Sequence, residues 1–145
     1  MRVVIEGHHL PGRCFVSEGQ LLEHVHVGIQ IGREPSDLVP ADAPAATWEL
    51  EVRVVDVDGG RDFRGPAVQG KRGDRFLYLV WGELAGPGPF HMFRRAKLMV
   101  GRVDAAVMDA AVAADALRAS VHLTDDRGGP RCARVDPPAI AWTAG

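Results

Sequence analysis

Short runs of alternating apolar and polar residues, each ended by glycine or proline, constrain this chain more than any other feature. Successive side chains on a strand point to opposite faces, so period-2 alternation marks a strand with one dry side. Leu22 to Ile31 alternates most clearly: Val25, Val27, Ile29 and Ile31 face one way, and His24, His26, Gly28 and Gln30 the other. Trp48, Leu50, Val52 and Val54 alternate with Glu49, Glu51 and Arg53, and Arg2 to Glu6 reads as a short opening strand. Phe76 to Trp81 is apolar on both faces, which places it mid-sheet or between two layers. Phe90 to Val100 puts Phe90, Met92, Ala96, Leu98 and Val100 on one face and His91, Phe93, Arg95, Lys97 and Met99 on the other. There are 17 glycines and 10 prolines in 145 residues, against about one residue in eight for the pair in an average chain. They fall where strands must stop. Gly59-Gly60 suits a tight turn, Ala85 to Pro89 cannot continue a strand, and Pro35 to Pro44, with three prolines, reads as a long irregular connection.

One segment has helical spacing instead. Val103 to Leu117 is rich in alanine, carries Asp104 near its start, and sets Val103, Val107, Ala110, Ala114 and Leu117 along a narrow stripe. Short strands are expected after it at Ser120 to Thr124, Cys132 to Val135 and around Ile140 to Trp142. The expected fold is therefore mainly β: an antiparallel sandwich or barrel of seven or eight short strands with one late helix at 103–117. At 145 residues the chain closes one core and reads as a single domain over 1–145. No apolar run approaches the ~20 residues that cross a bilayer, so no membrane partner is expected. Glu6, His8 and His9 within an alternating first segment do not read as a signal peptide, so a cytoplasmic protein is expected. Cys14 and Cys132 form no ligand motif and read as free thiols, with a disulfide between them left open.

The formal net charge of −2 hides a strong asymmetry. Residues 1–60 hold four Arg against ten Asp/Glu, net −6; residues 61–102 hold nine Arg/Lys against three, net +6. The blocks neutralise each other if the fold brings them together; otherwise the basic one awaits an anion. Within it, Asp62-Phe63-Arg64-Gly65-Pro66 and Lys71-Arg72-Gly73-Asp74-Arg75 can form Arg–carboxylate pairs that shape a loop. Alternatively, Arg64 and Arg75 present guanidinium forks to a carboxylate or phosphate. Arg94 is expected on the apolar face of its strand, either in a buried ion pair with Asp62, Asp74 or Glu51 or lining a cavity. Arg95, His26, Gln30 and Tyr78 complete the ligand-binding candidates.

His24 and His26 supply two imidazoles at strand spacing; Glu6, His8, His91 or His122 could arrive by folding, but no third ligand sits at a completing spacing, so no metal is expected. Both GxGxxG and GxxxxGK[ST] are absent, no nucleophile motif surrounds Ser17, Ser36 or Ser120, and no cofactor is expected. Aromatics interleave with the basic block as in single-strand binders, but the acidic first sixty residues oppose phosphates, so no nucleic-acid partner is expected.

Val25 to Gln30, Asp62 to Pro66, Gly73 to Gly82 and Met92 to Leu98 resemble a family of short actinobacterial proteins known as a domain of unknown function. The resemblance extends through Leu123-Thr124-Asp125 to Pro137-Pro138, and implies a bacterial, cytoplasmic, stand-alone domain. The function expected is a small-molecule-binding β domain, with or without a cofactor-independent reaction, that holds an acidic metabolite with its Arg-rich middle. The competing expectation is an interaction or homodimeric module whose flat strand faces meet another subunit. The first needs a concave pocket lined by Arg and aromatics, the second an extended apolar patch.

Overall fold

Fourteen strands and one helix are formed by the residues that the computed structural model describes, namely 1–10, 14–15, 21–22, 24–84, 88–125, 133–135 and 140–145. The strands are β1 (Arg2–His8), β2 (Cys14–Phe15), β3 (Leu21–Leu22), β4 (Val25–Ile31), β5 (Glu34–Pro40), β6 (Ala45–Glu51) and β7 (Arg53–Val57). They continue with β8 (Gly60–Arg64), β9 (Gln69–Lys71), β10 (Asp74–Glu83), β11 (His91–Met99), β12 (Ala116–Asp125), β13 (Ala133–Val135) and β14 (Trp142–Ala144). Helix α1 (Ala105–Ala114) precedes β12.

Two five-stranded sheets carry the molecule. One has the order β13-β12-β1-β6 with β14 also on β12; the other has β11-β10-β4-β5 with β9 also on β10. One sheet curls into a half-barrel, so the mainly β architecture with one late helix stands. The inner faces meet in one cluster: Val3, Ile5, Trp48, Leu50, Leu117 and Leu123 from the first sheet, and Val27, Ile29, Leu77, Leu79, Trp81 and Leu98 from the second. These are the dry positions of the alternating runs, and Met108 and Ala111 of α1 join them.

Several local expectations change. The pairing is antiparallel except for β1 with β12, which run parallel from Arg2↔Ala116 to His8↔His122. Some hundred residues separate the two strands, far more than the dozen or so that the crossover of a parallel pair requires. The helix ends at Ala114, not 117. Asp115 adopts φ 55°, and its N–H reaches the Ala111 and Val112 carbonyls. The alternation Leu117, Ala119, Val121, Leu123 then buries one face of a ten-residue strand. At the other end Asp104 caps the helix, its Oδ1 accepting from the Ala106 N–H at 2.9 Å.

Pro35 to Pro40 is strand, not irregular loop. β5 pairs with β4 alone at the sheet's edge, where a missing proline N–H costs no ladder bond. A bulge at Asp37, φ 52°, bends β5 and aims its carbonyl at the buried Trp48 indole, whose Nε1 donates to it at 2.9 Å. That bond ties an edge strand of one sheet to an edge strand of the other. Cys14 lies in β2, whereas Cys132 falls outside the described residues, as do residues 85–87, residues 126–131 and the Pro137-Pro138 pair.

Candidate anion-binding site

β7 and β8 form a two-stranded ribbon of their own, with Arg53↔Arg64, Val54↔Phe63, Val55↔Asp62 and Asp56↔Arg61 directly opposite. Opposite residues share a face. Val54 and Phe63 anchor one face on the core, so Arg53, Arg64 and Asp62 share the other. The chain turns onto the ribbon at Val52, which is 2% exposed. Its carbonyl accepts from the Met1 amino group at 2.9 Å.

Asp62 is the hub of a charge cluster. Its Oδ2 accepts from Arg64 Nε at 3.1 Å and its Oδ1 from Arg75 Nε at 2.9 Å. The hydrogen bond from Arg64 above all, then the one from Arg75 and both positive charges, hold its carboxyl below the usual carboxylate range, against the opposing effect of burial. Arg75 is brought in by β9 and β10. It lies opposite Gly70, and a Cβ there would stand 2.7 Å from its Nη1. Nη1 itself donates to the Asp74 carbonyl. Arg75 is thus clasped on both sides, while Arg64 is 55% exposed and makes one side-chain bond among the described residues.

Arg64 and Arg53 border a cleft of about 440 Å³ whose other walls are Met1, Glu51, Val52, Gly65 and Pro66. Arg53 has no ion-pair partner among the described residues. Two guanidiniums opposite each other on an open ribbon repel, and a bidentate oxyanion between them would relieve that. A second cleft of about 470 Å³ lies on the ribbon's other face, between Phe63, Val100 and Met108. Its rim carries Asp56 and Asp58, and its cation, Arg61, is already bonded to Asp109 of α1. Its charge is wrong for an anion.

The remaining candidates gather elsewhere. His26, Gln30, Tyr78 and Arg95 occupy the outer face of the second sheet, where Phe76, Tyr78 and Val80 make a separate small cluster under Phe90 and Met99. The Arg95 guanidinium sits 4.5 Å above the Tyr78 ring, and Lys97 Nζ 4.8 Å above Phe76. These are cations covering aromatics rather than lining a hole. Gln30 donates to the Gly32 carbonyl at 3.1 Å and His26 Nδ1 lies 3.2 Å from the His24 carbonyl. The structure therefore brings Arg64 and Arg75 together on Asp62 and leaves the other four apart from them. His24 precedes β4 instead of pairing with His26 on its face. The backbone of Arg94 pairs opposite Trp81.

Sequence reading missed Arg53, which passes for the wet side of a continuous strand through Val54. The break at Val52, between β6 and β7, gives it to a different sheet. Also missed was a trio of imidazoles, His8, His9 and His122, joined only by the β1–β12 register.

Fold and cleft together define a two-layer, mainly β domain with an arginine-bordered cleft on an appended ribbon. The chain belongs to a family of unknown function, DUF5990, whose model matches residues 1–145. No curated protein and no solved structure matches it.

Proposed function

We propose that this domain binds a small metabolite through a carboxylate or phosphate held between Arg53 and Arg64, in the cytoplasm of an actinobacterial cell. One observation carries the reading: two arginines face each other across β7 and β8 at the mouth of a cleft, with a single carboxylate to serve Arg64 and Arg75. Asp62 and Arg75 set the Arg64 guanidinium in place, and Val52 and Pro66 offer apolar walls to the ligand's body. The cleft volume suits a small molecule, for which about 300–1,000 Å³ is usual. Among the described residues one ion pair joins the acidic and basic blocks, Arg61 with Asp56 at 3.8 Å, and Arg53, itself in the acidic block, has no such partner. The competing interaction-module reading has less support, because the large apolar side chains exposed among the described residues, Val57, Met92 and Val112, lie on three different elements.

Thermal melts with a panel of mono- and dicarboxylates and phosphate esters test the proposal. A subset should raise the melting temperature of the parent and of Arg95→Ala but not of Arg53→Ala or Arg64→Ala. No shift with any anion, or a shift that survives in both cleft variants, would overturn it.

A further inference from the structure

We infer that the second cleft, between the β7–β8 ribbon and α1, binds a small organic cation, an ammonium group carried on an apolar body, at a site separate from the arginine cleft. Alternation along the ribbon puts Asp56 and Arg61, directly opposite each other, on the face of Val54 and Phe63. That face looks across the cleft to the turn Val100–Arg102 and to α1. Phe63, Val100 and Met108 form a floor no more than 5% exposed. Val57 stands in the wall at 43% exposure, one of three large apolar side chains left open to water among the described residues. At about 470 Å³ the cleft has the size of a small-molecule site. Covering the open side of Val57 favours a ligand with an apolar body.

The rim decides the ligand's charge. Asp56 and Asp58 lie on the ribbon side, and Asp109 reaches in from the helix side. Arg61 is the one cation among the described lining residues, and two of these carboxylates engage it: it is bonded to Asp109 and lies 3.8 Å from Asp56. Three carboxylates against one guanidinium leave a net charge of −2, and Asp58 has no ion-pair partner among the described residues. Helix α1 enters the wall at Ala105, where the Asp104 carboxylate caps it and offsets the partial positive charge of the helix end. An anion meets repulsion here. An ammonium gains from Asp58 at the rim while staying hydrated, with its hydrocarbon part laid on Phe63, Val100 and Met108. The two faces of one ribbon thus suit ligands of opposite charge, Arg53 and Arg64 on one and Asp56 with its engaged Arg61 on the other.

Methyl-detected NMR of the full chain, titrated separately with phenethylamine, its neutral counterpart phenethyl alcohol and the anion hydrocinnamate, tests this. The amine should shift the Val57, Val100 and Met108 methyl signals together and to saturation. The alcohol should move the same signals with roughly two- to fivefold weaker affinity, the worth of one exposed ion pair, and the carboxylate should leave them still. Asp58→Asn should weaken the amine by a similar factor, whereas Glu49→Gln, which removes an exposed carboxylate on β6, should leave it unchanged. Methyl signals unmoved by the amine, an alcohol or carboxylate held there as tightly as the amine, or an amine affinity that survives Asp58→Asn intact would overturn the assignment.

Discussion

Replacing Trp48 with Phe tests how the two sheets are joined. Trp48 is fully buried, packs over Gly7, and donates its indole N–H to the Asp37 carbonyl at 2.9 Å. The substitution removes that bond, worth about 0.5–1.5 kcal/mol. It also leaves a void where the second ring stood, for which roughly half the 3–5 kcal/mol of a full Trp or Phe truncation is a fair measure. The sum is about 2–4 kcal/mol. For a chain of this size each kcal/mol moves the melting temperature by about 2–4 °C, so the variant should melt roughly 4–16 °C below the parent. Trp142→Phe is the internal control: that residue is half-buried on β14 and makes no side-chain bond among the described residues. Urea unfolding followed by circular dichroism measures both. A Trp48→Phe variant no less stable than Trp142→Phe would refute the claim that the indole clamps β5 to β6.

Asp115→Gly relieves a left-handed penalty of about 1 kcal/mol at the helix C-cap but removes the carboxylate 3.4 Å from the Met1 amino group, so the net gain should be smaller than that; a calorimetric melt raised by less than roughly 2–4 °C checks it. Asp62→Asn should lower the melting temperature near neutral pH, because it takes a carboxylate from two guanidiniums. The folded Asp62 carboxyl lies below its ordinary range, so its contribution is present above that range and is lost as pH falls through the folded value. The gap between parent and Asp62→Asn melts should therefore close on acidification and never widen. Arg95→Ala should cost about 0.5–1 kcal/mol of cation–π contact at an exposed site and leave anion binding untouched, as melts with and without ligand would show.

What the sequence made legible was everything governed by local period. The inward residues of β4 and β6, and Ala96, Leu98 and Val100 of β11 and its end, follow from spacing alone, and so does a mainly β fold. The expected helix stripe holds only at Val103 and Val107: Ala110 and Ala114 are exposed, and Met108 and Ala111 are buried instead. Phe90 and Met92, expected on the face of Leu98, lie beyond the bulge at Trp81/Gly82, Phe90 on the outer cluster and Met92 half exposed. Three things were not local. Prolines in β5 imitate a loop because composition does not say whether a strand lies at an edge. The end of α1 was hidden because Leu117 fits both a helical stripe and the alternation of β12, and only the reversal at Asp115 decides between them. The parallel β1–β12 pair depends on a partner more than a hundred residues away, and with it goes the meeting of His8 and His122. At the candidate site, Asp62, Arg64 and Arg75 were visible as a charge-rich loop. Arg53 was not, because the break at Val52, which takes it out of the strand of Trp48 and Leu50 and sets it opposite Arg64, leaves no mark in the alternation.

The most direct measurement of the central claim is a titration read at the arginine side chains. Nε–Hε NMR signals of the guanidiniums should be followed while the anion selected by the melts is added to the intact protein. Arg53 and Arg64 should move together and saturate, Arg75 should move less because Asp62 and Asp74 already hold it, and Arg118, paired with Glu6, should stay still. Saturating shifts at Arg95 or Arg118 with Arg53 and Arg64 unmoved would contradict the account.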